Sequence, residues 1–183
     1  MISSTPMKDL SILPLLGLIV LGGPSLRAQP FAADLSQPPP RLTIAYEGKT
    51  TWFNAAELSM LPHQDVTAFD FHEKQSHVYS GVPVRDLLAK AGVQFGEKLR
   101  GKKLRSVVLV HCRDHYDIVF ALAEFDENFN DRTILLVDRQ DGQPLPDALG
   151  PVRLVVPGDK RPARWARMVT SLEVVSVGED SGR

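Results

Sequence analysis

The chain has 183 residues, of which 43% are hydrophobic and 23% are charged, and its formal net charge is −1. This length is sufficient for one domain with a substantial core, and the composition is that of an ordinary globular protein. The near-neutral charge and the lack of a DNA-binding motif argue against a nucleic-acid partner. The sequence contains neither a Gly-rich phosphate loop nor a Ser-His-Asp order, so it does not indicate a common enzyme class.

The N-terminal stretch has the pattern of an export signal. An apolar run, Leu10–Gly23, follows Lys8 and is too short for a confident membrane span. We therefore predict a signal peptide over residues 1–28, cleaved near Ala28, and a polar, proline-ended linker over residues 29–40. The mature protein is then expected to be periplasmic or secreted, without a membrane span. An uncleaved anchor is the alternative.

Cys112 is the only cysteine in the chain. An exported protein with one cysteine cannot form an intramolecular disulfide. The folded domain must therefore depend on its apolar core.

The apolar patterns predict many strands and few, short helices. One helix is predicted at Ala55–Met60, where Asn54 and Glu57 have capping-box spacing. Leu104–Val110 is predicted to be a strand buried on both faces. The other predicted strands are Arg41–Glu47, Thr50–Phe53, Gln64–Phe71, His77–Tyr79, Asp117–Leu122, Thr133–Val137, Pro151–Val156 and Met168–Val177. This order predicts an α+β domain over residues 41–177 with a mixed, mostly antiparallel sheet, followed by a flexible tail over residues 178–183.

His77–Val93 is the stretch around which the rest of the chain is organised. It predicts a strand end, a tight turn and one short amphipathic helix. Pro83 suits the first helical turn, and Gly92 suits the position just after the helix. The apolar face of this helix consists of Val84, Leu87, Leu88 and Ala91.

Several motifs together resemble one family. Tyr-Ser-Gly-Val-Pro-Val-Arg-Asp-Leu-Leu at residues 79–88 resembles the turn and helix of the molybdopterin-binding domain of sulfite oxidase and its bacterial relatives. Leu135–Leu145, Gly150–Gly158 and Arg164–Val174 agree with later parts of that domain, in order and spacing. The chain is therefore identified as a small, single-domain, exported member of the sulfite oxidase family.

This resemblance implies a molybdopterin-binding fold, an oxidoreductase ancestry and a molybdopterin cofactor. It also implies that a cysteine ahead of the Gly-Val-Pro helix holds the molybdenum. Here the corresponding stretch, Phe69–Tyr79, contains no cysteine, and Cys112 comes one strand too late. We therefore do not expect molybdenum catalysis, and whether the protein is an enzyme stays open.

His111–His115 is the densest cluster of metal-ligand side chains in the chain. His111, Cys112 and His115 are weak candidates for a zinc or copper site. The alternative is that Cys112 is a small buried hydrophobic residue that ends a strand. His72 and His77 could also face each other in the predicted hairpin, although exposed turn histidines are common.

A short basic run suggests where an anion could bind. Lys160, Arg164 and Arg167 would share one side of a helical turn. If the strands 104–110 and 152–156 run in the same direction in the sheet, the loops after them form one cleft. The candidate ligand-binding residues are then Arg113, Asp114, His115, Tyr116, Lys160, Arg161 and Arg164. The alternative is a solvated basic turn paired with acids such as Asp159 and Glu173.

Three functional hypotheses follow. The first is a domain that binds a pterin-type or other anionic small molecule. The second is a non-enzymatic module that uses the same scaffold to bind a periplasmic protein. The third is a molybdenum oxidoreductase with an unusual ligand set, and the missing cysteine argues against it.

Overall fold

The structure, a computed structural model, describes residues 41–178. The predicted signal peptide, the linker and residues 179–183 lie outside this range. The described part of the chain has two α-helices, α1 (Ala55–Met60) and α2 (Val84–Lys90), and ten strands. The strands are β1 (Leu42–Tyr46), β2 (Lys49–Phe53), β3 (Gln64–Asp70), β4 (Gln75–Pro83), β5 (Ser106–Cys112), β6 (Asp117–Ala121), β7 (Leu135–Gln140), β8 (Gln143–Pro144), β9 (Arg153–Val155) and β10 (Val169–Ser176).

These strands form two sheets. The first sheet has the order β2-β1-β10-β5-β6, in which β1 and β10 are parallel and the other neighbours are antiparallel. The second sheet has the order β3-β4-β7-β8, and β9 also pairs with β7; all of its pairs are antiparallel. The predicted α+β class with mixed, mostly antiparallel pairing is confirmed.

One buried apolar cluster includes residues from both sheets. Leu42, Ile44 and Leu172 of the first sheet belong to it, as do Tyr79 and Leu154 of the second. Burial of these side chains supplies the main stabilising term of the domain, since apolar surface leaves water. No helix within residues 41–178 is long and apolar enough to cross a membrane.

Helix α1 begins at the predicted capping box. The Glu57 amide donates to Asn54 Oδ1 over 2.9 Å, and the Asn54 amide donates to Glu57 Oε2 over 2.8 Å. These reciprocal bonds satisfy two amides that the first helical turn leaves without intrahelical acceptors.

Helix α2 has the predicted apolar face and the predicted end. Val84, Leu87 and Leu88 are almost completely buried. Gly92 follows the helix with φ +98°, a left-handed conformation that costs glycine little.

The tight turn predicted before α2 is wrong. Strand β4 continues through Pro83 directly into the helix, with a register shift between Ser80 and Gly81 in its pairing with β7. The strand stays extended because it lies between β3 and β7 and pairs with both. Gly81 is needed here, since a Cβ atom would lie 2.3 Å from the Leu136 carbonyl oxygen.

Strand β5 differs from its prediction in position and burial. It begins at Ser106, because residues 101–105 form a 3₁₀ helix in which Leu104 is 44% exposed. Burial alternates along the strand, with Val108, Val110 and Cys112 facing the core. A strand in a mostly antiparallel sheet usually has one covered face, which explains the alternation.

Candidate functional site

A cleft of about 520 Å³ lies where four segments of the chain meet. We call it the Arg153 cleft, after the buried arginine of β9 that lines it. The other lining residues come from the β3–β4 turn, the β5–β6 turn and the segments before and after β9: Asp70, His72, Glu73, Asp114, His115, Tyr116, Leu149, Pro162, Ala163, Trp165, Ala166 and Arg167.

Arg153 is a buried cation with incomplete hydrogen bonding. Only 3% of the residue is exposed, and its Nη1 lies 3.7 Å from Asp70 Oδ2, too far for a good hydrogen bond. Its guanidinium lies 5.7 Å from the centre of the Tyr79 ring and 5.6 Å from that of Trp165. The Nε and Nη1 atoms have no hydrogen-bond partner among the described residues.

Burial lowers the pKa of the Arg153 guanidinium, while Tyr79 and Asp70 oppose this shift. Arginine nonetheless stays protonated in proteins, so Arg153 keeps its charge. A buried cation with unused donors is costly unless a partner completes its hydrogen bonds. Arg153 lines the cleft, so an anionic group placed there would lie beside this cation and balance its charge.

Asp70 is the carboxylate that lies beside Arg153. It is 4% exposed and accepts hydrogen bonds from the amides of His72 (2.8 Å) and Glu73 (3.2 Å) and from the Tyr79 hydroxyl (3.2 Å). Burial alone raises the pKa of Asp70, but these hydrogen bonds and Arg153 outweigh burial and lower it. Asp70 therefore stays ionised and fixes the β3–β4 turn as one wall of the cleft.

The β5–β6 turn forms the opposite wall. The Tyr116 hydroxyl donates to the Ala163 carbonyl over 2.8 Å, and this bond joins the turn to the segment after β9. The Tyr116 amide donates to Asp114 Oδ1 over 3.2 Å, and His115 has φ +63°. The structure thus places Asp114, His115 and Tyr116 together at the cleft.

Comparison with known proteins identifies the family. Residues 43–181 match the family model described as oxidoreductase molybdopterin binding domain. The chain belongs to this family. A search of curated proteins found no match.

This molybdopterin-binding domain is also similar to a solved structure, that of the sulfane dehydrogenase SoxCD from Paracoccus pantotrophus. The TM-score is 0.57 at 21% sequence identity, and the match covers 74% of this chain and 38% of that chain. A similarity at this level of identity supports the fold alone. The chain corresponds to well under half of the length of that protein.

The predicted basic wall of the cleft is largely wrong. Only residues 162–164 are helical, so Lys160, Arg164 and Arg167 do not share one helical face. Of this run, Arg167 lines the cleft, whereas Lys160, Arg161 and Arg164 do not. The two strands that were assumed to share a sheet, β5 and β9, lie in different sheets.

Arg164 is instead held by carboxylates. It donates from Nε to Asp159 Oδ2 (2.9 Å) and from Nη1 to Glu124 Oε2 (2.8 Å), and Arg132 binds the same two acids. Its guanidinium also lies 4.7 Å from the centre of the Phe120 ring. The hydrogen bonds that Arg164 donates to Asp159 raise the pKa of Arg164. For Arg164, the alternative of a basic turn paired with nearby acids is therefore confirmed.

Arg113 also points away from the Arg153 cleft. It lines a separate depression with Arg41 and Arg139, and its Nη2 lies 2.9 Å from the Met168 sulfur. The sequence grouped Arg113 with Tyr116 because both follow β5. The turn after β5 directs them to different sides.

Cys112 is the buried end of β5. It is 6% exposed and does not line the cleft. Burial raises the pKa of its thiol to about 11, and the negative charges of Asp114 and Asp117 add to this shift. His111 contacts Asp117, with 2.9 Å between Nδ1 and Oδ1. Within residues 41–178, no three His, Cys, Asp or Glu side chains are arranged to hold a metal ion.

The family implies a molybdopterin cofactor, whose phosphate and metal make different demands on the lining of the cleft. Its phosphate is a suitable counter-ion for Arg153, which lines the cleft. The metal lacks the thiolate that the resemblance implies, since the lining residues include no cysteine and Cys112 is buried elsewhere. The cleft therefore suits the anionic part of the cofactor and not its metal.

Arg153 was not identified from the sequence, and His77 was considered only as a partner of His72, whereas the structure pairs it with Asp141. Arg153 did leave a signal, because it is the one charged residue in the apolar run Val152–Val156. His77 is 6% exposed, and its Nδ1 lies 2.5 Å from Asp141 Oδ2. Its Nε2 lies 2.9 Å from the cleft residue Glu73, but at a poor hydrogen-bond angle. Nothing in the sequence indicates a pairing across 64 residues.

Proposed function

We propose that this domain is exported and binds a pterin-type or similar anionic small molecule in the Arg153 cleft, without molybdenum catalysis. The observation that carries the proposal is the buried Arg153, whose Nε and Nη1 lack hydrogen-bond partners within residues 41–178. A buried guanidinium that lines a cleft suits a phosphate or carboxylate group as its counter-ion. The family membership makes a phosphate-bearing pterin a suitable first ligand to test.

The mixed charge of the cleft supports a ligand with both an anionic group and hydrogen-bond donors. Arg153 and Arg167 would attract the anion, and Arg167 is exposed at the surface. Glu73 and Asp114 provide carboxylates that could accept from amino or ring N–H groups. A simple inorganic anion would leave these carboxylates unused, so a heterocyclic phosphate should bind more tightly than phosphate itself.

The proposal of a non-catalytic site rests on the chemistry of the lining residues. The resemblance requires a thiolate, and the only cysteine has a buried thiol with a raised pKa. A thiol of this kind is protonated at neutral pH and is a poor metal ligand.

A second candidate function is a module that binds a periplasmic protein. The observation in its favour is a pair of exposed aromatic side chains on the edge strand β3 and just after it. Phe69 and Phe71 are 45% and 43% exposed, and their ring centres are 5.2 Å apart in an edge-to-face arrangement. Exposed aromatic residues on a sheet edge are a common basis for protein contacts.

Calorimetric titration with phosphate and with a pterin monophosphate tests the main proposal. We expect the pterin monophosphate to bind more tightly, and Arg153→Lys to weaken its binding at least about tenfold, because a compact ammonium replaces the planar guanidinium. Arg161→Ala removes a nearby exposed cation that does not line the cleft and is the matched control. No binding to the wild type, or equal binding by the Arg153→Lys variant, would remove the cleft as the site.

Metal analysis of protein purified from its own compartment tests the non-catalytic part. We expect no stoichiometric molybdenum. Stoichiometric molybdenum that is lost in Cys112→Ser would show that Cys112 is a ligand and would overturn the proposal.

A further inference from the structure

A second charged feature lies away from the Arg153 cleft, between α2 and β5. Residues 98–105, which we call the basic segment, contain five cationic side chains: Lys98, Arg100, Lys102, Lys103 and Arg105. All five residues are exposed. None of them forms an ion pair with another residue in the range 41–178. The chain as a whole has a formal charge of −1, so the rest of the molecule is acidic.

The basic segment is held in a defined position. Leu99 is 2% exposed and anchors the segment in the core, between two short 3₁₀ helices, Gly96–Lys98 and Gly101–Arg105. Arg105 Nη1 donates to the Gly178 carbonyl over 3.0 Å, and the Val177 amide donates to the Arg105 carbonyl over 3.1 Å. The cations are therefore presented together on one part of the surface.

Apolar side chains accompany these charges. Leu104 is 44% exposed within the segment, and Val177, whose backbone is bonded to Arg105, is 56% exposed. Glu97 precedes the segment in the sequence, and Glu47 lines a shallow depression with Lys102 and Lys103. These two carboxylates do not balance the five cations of the segment.

We infer that the basic segment is a surface for binding anionic lipid bilayers. Clusters of four to eight lysine and arginine residues are attracted to anionic headgroups, and the attraction increases with each cation. The exposed Leu104 and Val177 can enter the interface, while the long cationic side chains reach the headgroups. The segment contains no aromatic side chain on which nucleic-acid bases could stack, which favours lipid over single-stranded nucleic acid.

Vesicle flotation with the full chain tests this inference. Vesicles that mix phosphatidylglycerol with phosphatidylcholine are compared with vesicles of phosphatidylcholine alone, which report binding through the N-terminal apolar run. The test variant is Lys98→Gln/Arg100→Gln/Lys102→Gln, because none of these side chains forms a hydrogen bond or ion pair within residues 41–178. The control, Lys74→Gln/Arg139→Gln/Lys160→Gln, removes the same charge from exposed positions in other segments of the chain.

We expect the wild type and the control to bind the anionic vesicles at least about tenfold more tightly than phosphatidylcholine vesicles. The test variant should lose at least about tenfold of its affinity for the anionic vesicles, and added salt should weaken wild-type binding. Equal binding to both kinds of vesicle, or equal losses in the test and control variants, would overturn the inference. An intact pterin titration in the test variant would show that the Arg153 cleft is unaffected.

Discussion

Gly81 shows how closely two strands of the second sheet approach each other. A Cβ atom at this position would lie 2.3 Å from the Leu136 carbonyl oxygen and 2.4 Å from the Val137 Cα atom. Both neighbours are backbone atoms of β7, which cannot move aside without breaking the pairing of β4 with β7. The glycine is therefore required by space, not by an unusual backbone angle.

Gly81→Ala should destabilise the domain by about 1–3 kcal/mol or more, because the added methyl group overpacks the contact between β4 and β7. Chemical denaturation measures the change. Ser76→Ala, at an exposed position on the same strand, is the control and should change the free energy of unfolding by less than about 0.5 kcal/mol. An unchanged midpoint in Gly81→Ala would show that β7 adjusts at little cost.

Cys112 should react slowly with thiol reagents in the folded protein. Its thiol is 6% exposed and has a pKa of about 11, so the reactive thiolate is scarce at neutral pH. Alkylation followed by mass spectrometry should show labelling many times slower in the folded protein than in denaturant. Labelling at equal rates would show that the end of β5 opens readily.

At the scale of elements, helix α2 packs its apolar face into the core directly after β4. Leu87 and Leu88 have no measurable exposure, and Val84 is 1% exposed. Helix propensity alone would not stabilise seven residues in water. The helix therefore depends on this packing.

Leu88→Ala should destabilise the domain by about 2–4 kcal/mol, because a large side chain is removed from a closed site. The free energy of unfolding in a chemical denaturant is the measurement. Ala89→Ser, on the exposed side of the same helix, is the control. A loss below about 1 kcal/mol in Leu88→Ala would mean that the core fills the space.

His77 connects the β3–β4 turn to the turn between β7 and β8. The hydrogen bond to Asp141 raises the pKa of His77, and the same bond lowers the pKa of Asp141. Because the pKa of His77 is higher in the folded protein than its unfolded value of about 6.5, protonation of His77 stabilises the fold. This stabilisation is complete below the unfolded pKa and is lost as pH rises through the folded pKa. Ionised Asp141 stabilises the fold fully above its unfolded pKa of about 3.9. This stabilisation is lost as pH falls through its lower folded pKa. The pair is therefore most stabilising between these two limits.

Stability should fall as pH rises from 6 to about 9, and His77→Gln should remove this part of the fall. Denaturation midpoints across that range provide the measurement. His72→Gln, which removes an exposed histidine from the adjoining turn, should keep the wild-type pH dependence. Parallel pH profiles for the wild type and His77→Gln would contradict the role assigned to His77.

At the scale of the whole molecule, local signals in the sequence were sufficient for the fold class and for most of the elements, but not for the start of β5 or the junction of β4 with α2. The capping box at Asn54, the apolar face of α2 and Gly92 depend on residues a few positions apart, so their patterns are visible in the chain. The division into two sheets is not visible, since β1 pairs with β10 across more than a hundred residues. The structure places Asp114, His115 and Tyr116 at the Arg153 cleft, although β5 and β9, which were assumed to share a sheet, lie in different sheets.

The ion pairs and hydrogen bonds of charged side chains were the feature of the structure that the sequence predicted least well. Asp126 looks like a surface acid in the sequence, but it is 2% exposed and accepts a hydrogen bond from the Gly96 amide over 2.6 Å. Arg164 looks like a free cation until Glu124 and Asp159 are brought to it by the fold. Whether a charged side chain is free or paired depends on contacts between distant segments.

The export prediction concerns residues 1–40, which lie outside the described range. Mass spectrometry of the protein from its native host should show a mature form that begins near Gln29, because the run Leu10–Gly23 has the length of a signal-peptide core. An intact start at Met1 or Met7 would contradict cleavage.

The four-residue cluster of Arg132, Glu124, Arg164 and Asp159 has a consequence for how this protein can diverge. The two cations and two carboxylates form a partly buried network of ion pairs, in which 12–31% of each side chain is exposed. Loss of any one member leaves an unbalanced charge, so its effect depends on which residues occupy the other three positions. Single replacements there are therefore poorly tolerated, and the cluster would be inherited or lost as a unit.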